Sequence, residues 1–546
     1  MNITPVNLSR KPPIFFDYLN HFEKVSSFYS WNPHDDSHLI AALKERSRCS
    51  YPRQQLVDTL LQQHRAWEAP DESIHNIHRL NDKQTFCIVT GQQAGVLGGP
   101  LYTIYKIITV IKLAITLQEK YPDYHFIPVF WMEINDNDFK EINHIQYITR
   151  ENELKRLEIA ENPEDHLKPI AYRTIDAEML RWKEILEEDF FDTEFKEDAL
   201  NLFLDPYAQG DTYGNAFARL LLRLFHQYGL VILNPVDSGV THLAQPIFHR
   251  TLSEADVLGE HFLTRNREIE EAGYPTQIHL RRQQTLLFFI DEHQRRVRID
   301  KGEKENQFHL VYSEEIHPIG KEELLRLCET HPEQFSPNVA LRPVLQDFLL
   351  PTVVYVAGPS ETSYFAQLGA LYDFFEIPMP VIYPRHRLTI VEKKIQRLVE
   401  KLELDYQSIL QADSHFIENY LRNSSGGELY EALEKTDVKI VQALEELAEA
   451  LKKFDPTLIQ SVQKTRSSIE SSLGKLNGKI TRSLEEKNKT MVNQLQRIFL
   501  HLLPGNNYQE RELNLIYFVI KYGTDLIPQL ITALPEDSFH HLIVEL

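Results

Sequence analysis

Residues 86–106 constrain the fold more than any other segment, because an apolar run leads directly into a glycine-rich turn and then into an amphipathic stretch. Phe86 to Val89 carry the aromatic and β-branched side chains that are typical of a buried strand. The glycines that follow free the backbone for a tight turn and are Gly91, Gly95, Gly98 and Gly99. This order predicts a strand, a turn and a helix, as in doubly wound nucleotide-binding folds.

The helix after the turn is predicted to begin at Pro100, since proline suits the first position of a helix. Its apolar stripe recurs every three or four residues, at Leu101, Ile104, Ile108, Ile111 and Ile115. Tyr102 and Lys106 lie off the centre of this stripe. We expect free N–H groups of the turn and the positive end of the helix dipole to hold a phosphate or carboxylate there.

The spacing of the glycines matches neither the GxGxxG pattern of dinucleotide-binding folds nor the GxxxxGK[ST] pattern of P-loops. Two interpretations therefore stand, a tight strand-to-helix turn and a ligand site. Gln92 and Gln93 favour the ligand site, because two adjacent amides at the mouth of a buried strand need polar partners. We expect both glutamines, with Gly91 and Gly95, to contact a polar ligand.

Length and charge narrow the class of protein. A chain of 546 residues predicts about two to four structural units. Its 58 Lys and Arg residues against 79 Asp and Glu residues give a net charge of −21, which argues against general affinity for nucleic acid or anionic membranes. The first residues lack the pattern of a signal peptide, and no apolar stretch approaches the ~18 residues of a membrane span. We expect a cytoplasmic protein that holds any anionic ligand in a local basic pocket.

The cysteines are few and far apart in the chain, at Cys49, Cys87 and Cys328. An odd number of unclustered cysteines predicts neither a disulfide framework nor a thiolate zinc site. Cys87 lies within the first predicted strand and is expected in the core.

Short apolar runs alternate with helical stretches and predict an α/β fold with a parallel sheet. The predicted strands lie within residues 86–89, 125–138, 229–235, 352–359 and 379–385. Residues 1–80 are predicted to be mostly helical, and residues 150–225 to be charged, helical and peripheral. Residues 284–299 alternate around a charged turn and predict a β-hairpin. We place a core at residues 1–389, with inserted subdomains at about 150–225 and 260–335.

Residues 390–500 have apolar residues at helical spacing and predict a helical domain. Their longest apolar stripe is narrow and runs from Leu458 through Leu473 and Leu484 to Ile498, with charged residues between. Two interpretations remain, a helical hairpin packed on its own core and a coiled coil that pairs with a second subunit. The narrow stripe favours the coiled coil, because it buries little within one chain. Residues 501–546 are apolar and aromatic again, and we expect them to return to the core.

Acidic residues follow the second predicted strand, where the chain reads NDNDFKEINH from residue 135 to residue 144. Asp136, Asp138, Glu141 and His144 crowd this short segment and could ligate a metal, act as a base or bind an amine. The alternative is helix capping, because Asp and Asn are common before a helix. We retain Asp136, Asp138 and His144 of this segment, together with Lys106, as candidate catalytic residues.

A second group of polar residues flanks the fourth predicted strand. Asn338, Arg342 and Gln346 precede it, and Glu361 and Tyr364 follow it. Arg342 suits a carboxylate or phosphate clamp, since guanidinium binds planar anions through two hydrogen bonds. Taken alone, however, Arg342 is better explained by a surface salt bridge.

Arg385 and Arg387 end the fifth predicted strand. Arginines that converge with Arg342 on the carboxyl edge of one sheet, in an acidic protein, favour an anionic ligand.

Several motifs in shared order resemble the bacillithiol biosynthesis cysteine-adding enzyme family, BshC. They are GQQAG with GPLYTIYK, DFKEINH, SPNVALRP, GPSE with Tyr364, PVIYPR, and the closing QER with KYGTD. The resemblance spans nearly the whole chain. It implies a Rossmann-like core related to class I aminoacyl-tRNA synthetases, with connecting insertions and a coiled-coil dimerisation domain. It also implies a ligase that joins cysteine to glucosaminyl malate through an amide bond.

The candidate residues suit this reaction. Glucosaminyl malate brings two carboxylates and an amine, so we expect Lys106, Arg342 and Arg385 on anionic groups. Asp136 or Asp138 would act as the base or hold an ammonium group. ATP with Mg²⁺ is expected because amide formation from free ions is uphill, and no resident metal site is expected.

One departure from the family bears on the chemistry. The family segment resembles EDHDF, whereas this chain has NDNDF, with Asn135 and Asn137 in place of Glu and His. A neutral amide cannot transfer protons. Two further functions therefore stay open, a non-catalytic dimeric scaffold and a ligase for another amine.

Overall fold

The computed structural model describes residues 1–8, 12–304, 306–313, 315–536 and 538–546. The chain divides into two compact units, one of residues 1–390 with 507–546 and one of residues 391–506. The strands are β1 (Asn2–Val6), β2 (Thr85–Gln93), β3 (His125–Glu133), β4 (His144–Ile148), β5 (Leu154–Glu158), β6 (Val231–Leu233), β7 (Gln284–Ile290), β8 (Arg296–Lys301), β9 (Gln307–Val311), β10 (Ile316–Gly320), β11 (Phe335–Pro337), β12 (Thr352–Ala357), β13 (Val381–Pro384), β14 (Arg387–Val391) and β15 (His541–Glu545).

Helices account for most of the rest of the described chain. The helices of the first unit are α1 (Pro13–Asn20), α2 (Asp36–Arg46), α3 (Arg53–Ala66), α4 (Asp71–Arg79), α5 (Leu101–Lys120), α6 (Ala177–Leu180), α7 (Trp182–Asp189), α8 (Lys196–Leu204), α9 (Tyr213–Leu224), α10 (Ser238–Ser253), α11 (Ala255–Glu271), α12 (Lys321–Thr330), α13 (Leu341–Leu349), α14 (Pro359–Phe375), α21 (Gln509–Glu512), α22 (Ile516–Tyr522) and α23 (Leu526–Ala533). The helices of the second unit are α15 (Lys393–Lys401), α16 (Tyr406–Leu410), α17 (Phe416–Ser425), α18 (Gly427–Phe454), α19 (Ile459–Lys487) and α20 (Lys489–Leu502).

The centre of the first unit is a parallel sheet of five strands in the order β13-β12-β2-β3-β6. All its pairings are parallel, and β2 pairs with β3 from Thr85 with His125 to Gln93 with Glu133. The sequence prediction of an α/β fold with this sheet is therefore confirmed. Because the strands are parallel, their carboxyl ends lie at one edge of the sheet, where polar residues can meet.

Two hydrophobic cores lie on opposite faces of this sheet, as the alternation along β2 requires. Cys87 and Val89 belong to one core, which also contains residues of α10, α13 and α14. Phe86 and Ile88 belong to the other core with residues of α5. The sheet is covered on both faces, which explains its continuous apolar strands.

The helix α5 begins at Leu101, one residue later than predicted, and Pro100 precedes it in an extended conformation. It is long and apolar enough to cross a membrane by length and composition, with a mean hydropathy of 1.3. The expectation that no apolar stretch approaches this length is therefore wrong. The helix is a core helix, with 67% of that window buried in the fold, although Ile115 of the predicted stripe is 42% exposed.

An antiparallel sheet in the order β10-β9-β8-β7-β11 lies within residues 284–337 and contains the predicted β-hairpin as β7 and β8. A smaller sheet joins β1, β15 and β14, and it was not predicted. Within the region expected to be peripheral, α9 is instead part of the core, since Phe217, Leu220 and Leu221 are fully buried.

The second unit contains a hairpin of the two long helices α18 and α19. The Tyr430 hydroxyl lies 2.9 Å from Thr481 Oγ1 near one end, and Arg466 Nη1 lies 3.9 Å from Glu445 Oε1 near the other, so the helices are antiparallel. The predicted long stripe is interrupted at Asn488, between α19 and α20.

Candidate functional site

A cavity of about 840 Å³ opens at the carboxyl edge of the central sheet, where the ends of β2, β3, β12 and β13 meet. The candidate residues that line it are Gly91, Gln92, Gln93, Tyr102, Lys106, Asp136, His144, Asn338, Arg342, Glu361, Tyr364 and Arg385. Gly95, Asp138 and Gln346 are not among its lining residues. Parallel strands and the helices that follow them therefore bring together most of the residues selected from the sequence.

The glycine-rich turn is a structural turn that uses most of its N–H groups within the fold. Its amides donate to acceptors within the fold: Gly95 N to Gln93 O, Val96 N to Ile142 O, Leu97 N to the Tyr207 hydroxyl, Gly98 N to Gly95 O, Gly99 N to Val96 O and Leu101 N to Leu513 O. A Cβ at Gly95 would lie 2.7 Å from Gly99 Cα, so the chain there is too crowded for a side chain. An anion cradle at these six N–H groups is therefore not supported, because the protein itself uses the donors.

Lys106 is buried at the base of the cavity and is fully partnered. Its Nζ lies 2.5 Å from Glu361 Oε2 and donates to Gly91 O at 2.6 Å and to Gln92 Oε1 at 3.1 Å. Burial lowers the pKa of Lys106, while Glu361 opposes that effect. Burial alone would raise the pKa of Glu361, but Lys106 and the Gly358 N–H, 2.7 Å from Oε2, hold it below its usual range. This arrangement favours a fixed ion pair.

Arg342 is buried beside the carboxyl end of β2. Its Nη2 donates to the hydroxyls of Tyr355 at 3.3 Å and Tyr364 at 3.2 Å, and its Nε lies 3.6 Å from Glu133 Oε2. Burial opposes its charge, but the neighbouring hydroxyls and carboxylates outweigh burial and raise its pKa. A Cβ at Gly91 would lie 3.4 Å from Arg342 Nη1, so glycine leaves room for this guanidinium.

Gln346 lies one turn after Arg342 and is a core residue. It is fully buried, and its amide donates to Asp347 Oδ1 at 2.9 Å. Its predicted contact with a ligand is therefore not supported, because its side chain is committed to the interior.

Asp136 lies at the rim of the cavity and accepts from three donors. Arg296 Nη1 and Gln93 Nε2 each lie 3.3 Å from it, and Asn137 N lies 2.8 Å from its Oδ1. Glu141 adds a second carboxylate to the lining of the cavity. Burial and the nearby carboxylates of Asp138 and Asp136 raise the pKa of Glu141. Carboxylates gathered in this way suit a positively charged group of a ligand.

Asp138 has the capping role that was the alternative to catalysis. Its Oδ1 accepts from Lys140 N at 3.2 Å and caps the short 3₁₀ helix Phe139–Glu141, and the residue is exposed. Its assignment as a catalytic residue is not supported by its position. His144, in contrast, lines the cavity with its Nδ1 3.2 Å from Asn143 Oδ1, and burial and Arg156 lower its pKa.

Arg385 is neutralised by a residue far away in the sequence. Its Nη1 and Nη2 donate to Glu510 Oε2 at 2.8 Å and Oε1 at 2.7 Å, and its guanidinium lies over the Tyr102 ring. Arg387 does not reach the cavity, since it lies over the Phe15 ring. Of the arginines expected to converge, Arg342 and Arg385 line the cavity and Arg387 does not.

Other lining residues were not selected from the sequence, above all Glu133, Arg296, Asn507 and Arg511. Arg296 comes from the antiparallel sheet, where its guanidinium lies 3.7 Å from the centre of the Phe288 ring. Asn507 and Arg511 come from the closing segment of the first unit. The position of Glu133 at the end of an apolar run is the one sequence signal that could have indicated a site residue.

The charges around the cavity are of both signs and nearly balanced. Its lining cations are Lys106, Arg296, Arg342, Arg385 and Arg511, and its lining carboxylates are Glu133, Asp136, Glu141 and Glu361. Among the described residues there is no group of three or more His, Cys, Asp or Glu side chains that could hold a metal ion. The cavity therefore suits a ligand that carries both positive and negative groups.

Two family models together cover almost the entire chain. Residues 1–386 match "Bacillithiol biosynthesis BshC, N-terminal Rossmann-like domain", and residues 388–546 match "Bacillithiol biosynthesis BshC, C-terminal coiled-coil domain". The resemblance drawn from the motifs is therefore confirmed.

Individual relatives give the same result. A "Putative cysteine ligase BshC" of Chloroherpeton thalassium is 36% identical to this chain, and the match covers 98% of this chain and 96% of the relative. A "Putative cysteine ligase BshC" of Salinibacter ruber is 31% identical, and the match covers 99% of this chain and 97% of the relative. The crystal structure of a "putative arginyl t-RNA synthetase" from Campylobacter jejuni covers 84% of this chain and 97% of its own at 11% identity, with a TM-score of 0.21, and supports no conclusion. The chain belongs to the BshC family of bacillithiol biosynthesis.

Proposed function

We propose that this protein joins the carboxyl group of cysteine to the amine of glucosaminyl malate and so forms a carbon–nitrogen bond. Full-length similarity to relatives named as cysteine ligases supports this assignment. The structural observation that carries it is the cavity itself, in which cations and carboxylates face one space at the edge of a parallel sheet. Both substrates carry charges of both signs, which matches such a lining.

The positions of the charges suggest how the substrates would lie. The amine of glucosaminyl malate would bind at the acidic side of the cavity, which is lined by Glu133, Asp136 and Glu141. Its carboxylates would bind near Arg342 and Arg511, since guanidinium groups pair with carboxylates in planar geometry. The amino end of α14, at Ser360, also faces the cavity and would favour a negative group. Lys106 is paired with Glu361 at the base of the cavity. It would therefore keep the lining residues in place and would not transfer protons.

We also propose that the reaction is coupled to ATP with Mg²⁺, because amide formation from two free ions in water is uphill. The glycines of the turn do not fit a phosphate cradle, since the N–H groups of Gly95, Gly98 and Gly99 already donate within the fold. The requirement for a nucleotide follows from the free energy of amide formation. We further propose a cytoplasmic homodimer that pairs through the α18–α19 hairpin, where apolar side chains remain exposed.

Mass spectrometry of the purified protein with cysteine and glucosaminyl malate tests the function. Incubations with and without ATP and Mg²⁺ should differ, and a product at the summed mass of the substrates less one water is expected only with ATP. A matched incubation with Arg342→Met should give much less product at equal protein concentration. Absence of product from the wild-type protein under all conditions, together with no calorimetric binding of glucosaminyl malate, would refute the assignment.

A further inference from the structure

Glu133 occupies a special position at the carboxyl end of β3. It pairs in register with Gln93 of β2 and lines the cavity. Its Oε2 is buried and has no hydrogen-bond partner among the described residues, although Arg342 Nε lies 3.6 Å away. The Glu133 side chain nevertheless keeps 22% of its surface exposed where it lines the cavity, so a ligand N–H can contact this poorly hydrogen-bonded carboxylate.

The other well-placed carboxylates of the cavity are already committed to donors. Asp136 accepts from Arg296, Gln93 and its own neighbour Asn137. Glu361 accepts from Gly358 N, the Tyr355 hydroxyl and the Lys106 ammonium group. These hydrogen bonds occupy the oxygens of both carboxylates, which are therefore less free than Glu133 to accept from a ligand N–H. Glu141 lies at the rim of the cavity and is exposed, so its carboxylate is less enclosed by the protein than that of Glu133.

From this geometry we propose that Glu133 is the general base of the reaction and takes a proton from the substrate ammonium group. The inference rests on the proposed function and assigns a catalytic residue to it. The ammonium N–H would donate to a Glu133 carboxylate oxygen, and the proton would then pass to that oxygen. The nitrogen keeps the electron pair of the broken N–H bond and becomes a neutral amine, while Glu133 becomes a carboxylic acid. No other bond changes in this step.

The surroundings of Glu133 make its carboxylate a stronger base than that of an ordinary glutamate. Burial raises its pKa, and Asp136 acts in the same direction, while Arg342 and Arg296 oppose these effects and keep the carboxylate available. A carboxyl group with a raised pKa accepts a proton more readily than an ordinary glutamate does. The neighbouring Asn135 and Asn137 cannot take this role, because amides do not titrate near neutral pH.

The variant Glu133→Gln tests the inference, with Glu119→Gln as the control, since Glu119 is an exposed glutamate at the far end of α5. The glutamine variant should lower kcat by about 10²- to 10⁴-fold, the usual contribution of a general base. Unfolding midpoints of both variants and the wild type should establish that each is folded. Glu133→Asp should retain part of the activity, because it keeps a carboxylate near the same place.

The pH profile and a second acceptor separate a base from a structural residue. In the wild type, kcat should fall at acidic pH with a midpoint above the usual range of glutamate, and this limb should disappear in Glu133→Gln. Hydroxylamine is unprotonated at neutral pH and needs no base, so both proteins should transfer cysteine to it at similar rates. Equal kcat values for glucosaminyl malate in wild type and Glu133→Gln would overturn the inference while leaving the function intact. Absence of any product from the wild type would instead refute the function.

Discussion

Arg385 and Glu510 form a bidentate ion pair, with N–O distances of 2.8 and 2.7 Å, and each side chain is only 3% exposed. The two residues are 125 positions apart, so the pair fastens the closing segment of the chain to the carboxyl edge of the central sheet. Burial alone would raise the pKa of Glu510, but Arg385 holds it at about 2. The stability from this carboxylate is therefore present above about pH 4.5 and is lost as the pH falls towards 2.

Glu510→Gln should lower the free energy of unfolding by about 3–5 kcal/mol, because it leaves the Arg385 charge buried without a counter-ion. Urea unfolding followed by circular dichroism measures this change. The control Glu119→Gln removes an exposed carboxylate and should change stability by less than about 0.5 kcal/mol. Equal midpoints for the two variants would show that the pair does not stabilise the fold.

His64 should make stability depend on pH between 6.5 and 4. Burial lowers its pKa to about 4, and its Nε2 accepts from Ile232 N at 3.1 Å while Nδ1 lies 2.8 Å from Leu60 O. Protonation of Nε2 would remove the acceptor, so the neutral form is the folded form. The stability is full above pH 6.5, and below it the folding equilibrium should weaken by about tenfold per pH unit.

Urea midpoints of the wild type and His64→Gln, measured from pH 7 to pH 4, check this dependence. The slope should be smaller in the variant, whatever its stability at pH 7. His75→Gln alters an exposed histidine of α4 and should keep the wild-type slope. An unchanged slope in His64→Gln would contradict the prediction.

Asp136 and Asp138 give a direct test of which acidic residue serves the site. Asp136→Asn removes a charged acceptor for Arg296 at the rim of the cavity and should lower kcat/KM by roughly 10- to 150-fold, the effect of about 1.5–3 kcal/mol. Asp138→Asn should retain near wild-type kcat/KM, because asparagine caps a helix as well as aspartate does. Steady-state assays of both variants measure the difference, and the reverse order of activities would restore Asp138 as the functional residue.

The sequence predicted the sheet and the residues at its carboxyl edge for a physical reason. Buried parallel strands have continuous apolar runs, and polar residues directly after such runs have to lie at the same edge. Gln92, Gln93, Asp136 and Glu361 were found by this rule, and all line the cavity. The rule depends only on local sequence and on strand direction.

Contacts between distant segments could not be predicted in this way. Arg296 reaches the cavity from an inserted sheet and has no local pattern that indicates a site. Arg511 reaches it from the closing segment, where the QER motif marks the family but does not show which cavity its arginine lines. The glycine-rich turn misled the prediction because the acceptors that use its N–H groups, such as Ile142 O and the Tyr207 hydroxyl, come from other elements. Local sequence shows which N–H donors exist, but it does not show which acceptors they bond to in the folded chain.

Asn137 tests whether the missing histidine of the family segment matters in this chain. Its side chain points to His166 O, 3.4 Å from Nδ2, and it is not among the residues that line the cavity. Asn137→His should therefore change kcat by no more than about twofold, as for a substitution outside the site. Steady-state rates with glucosaminyl malate measure this, and a large gain would show that a histidine at this position is a catalyst.

The α18–α19 hairpin provides a test of dimerisation within the second unit. Leu447 is 49% exposed, Leu476 is 47% exposed and Phe454 is 84% exposed. Leu447 and Leu476 lie within the apolar stripes of α18 and α19, and Phe454 lies at the end of α18. A second copy of the hairpin would bury these side chains, and each fully buried leucine contributes about 1.5–3 kcal/mol. The combined change Leu447→Glu and Leu476→Glu should therefore convert a dimer into a monomer.

Size-exclusion chromatography with light scattering measures the mass of each form in solution. The control Ser471→Glu adds the same charge at an exposed polar position of α19 and should leave the dimer intact. A wild-type protein with the mass of one chain across micromolar concentrations would refute the dimer. A double variant that keeps the dimer mass would move the interface away from this hairpin, because two buried carboxylates facing a partner could not be tolerated there.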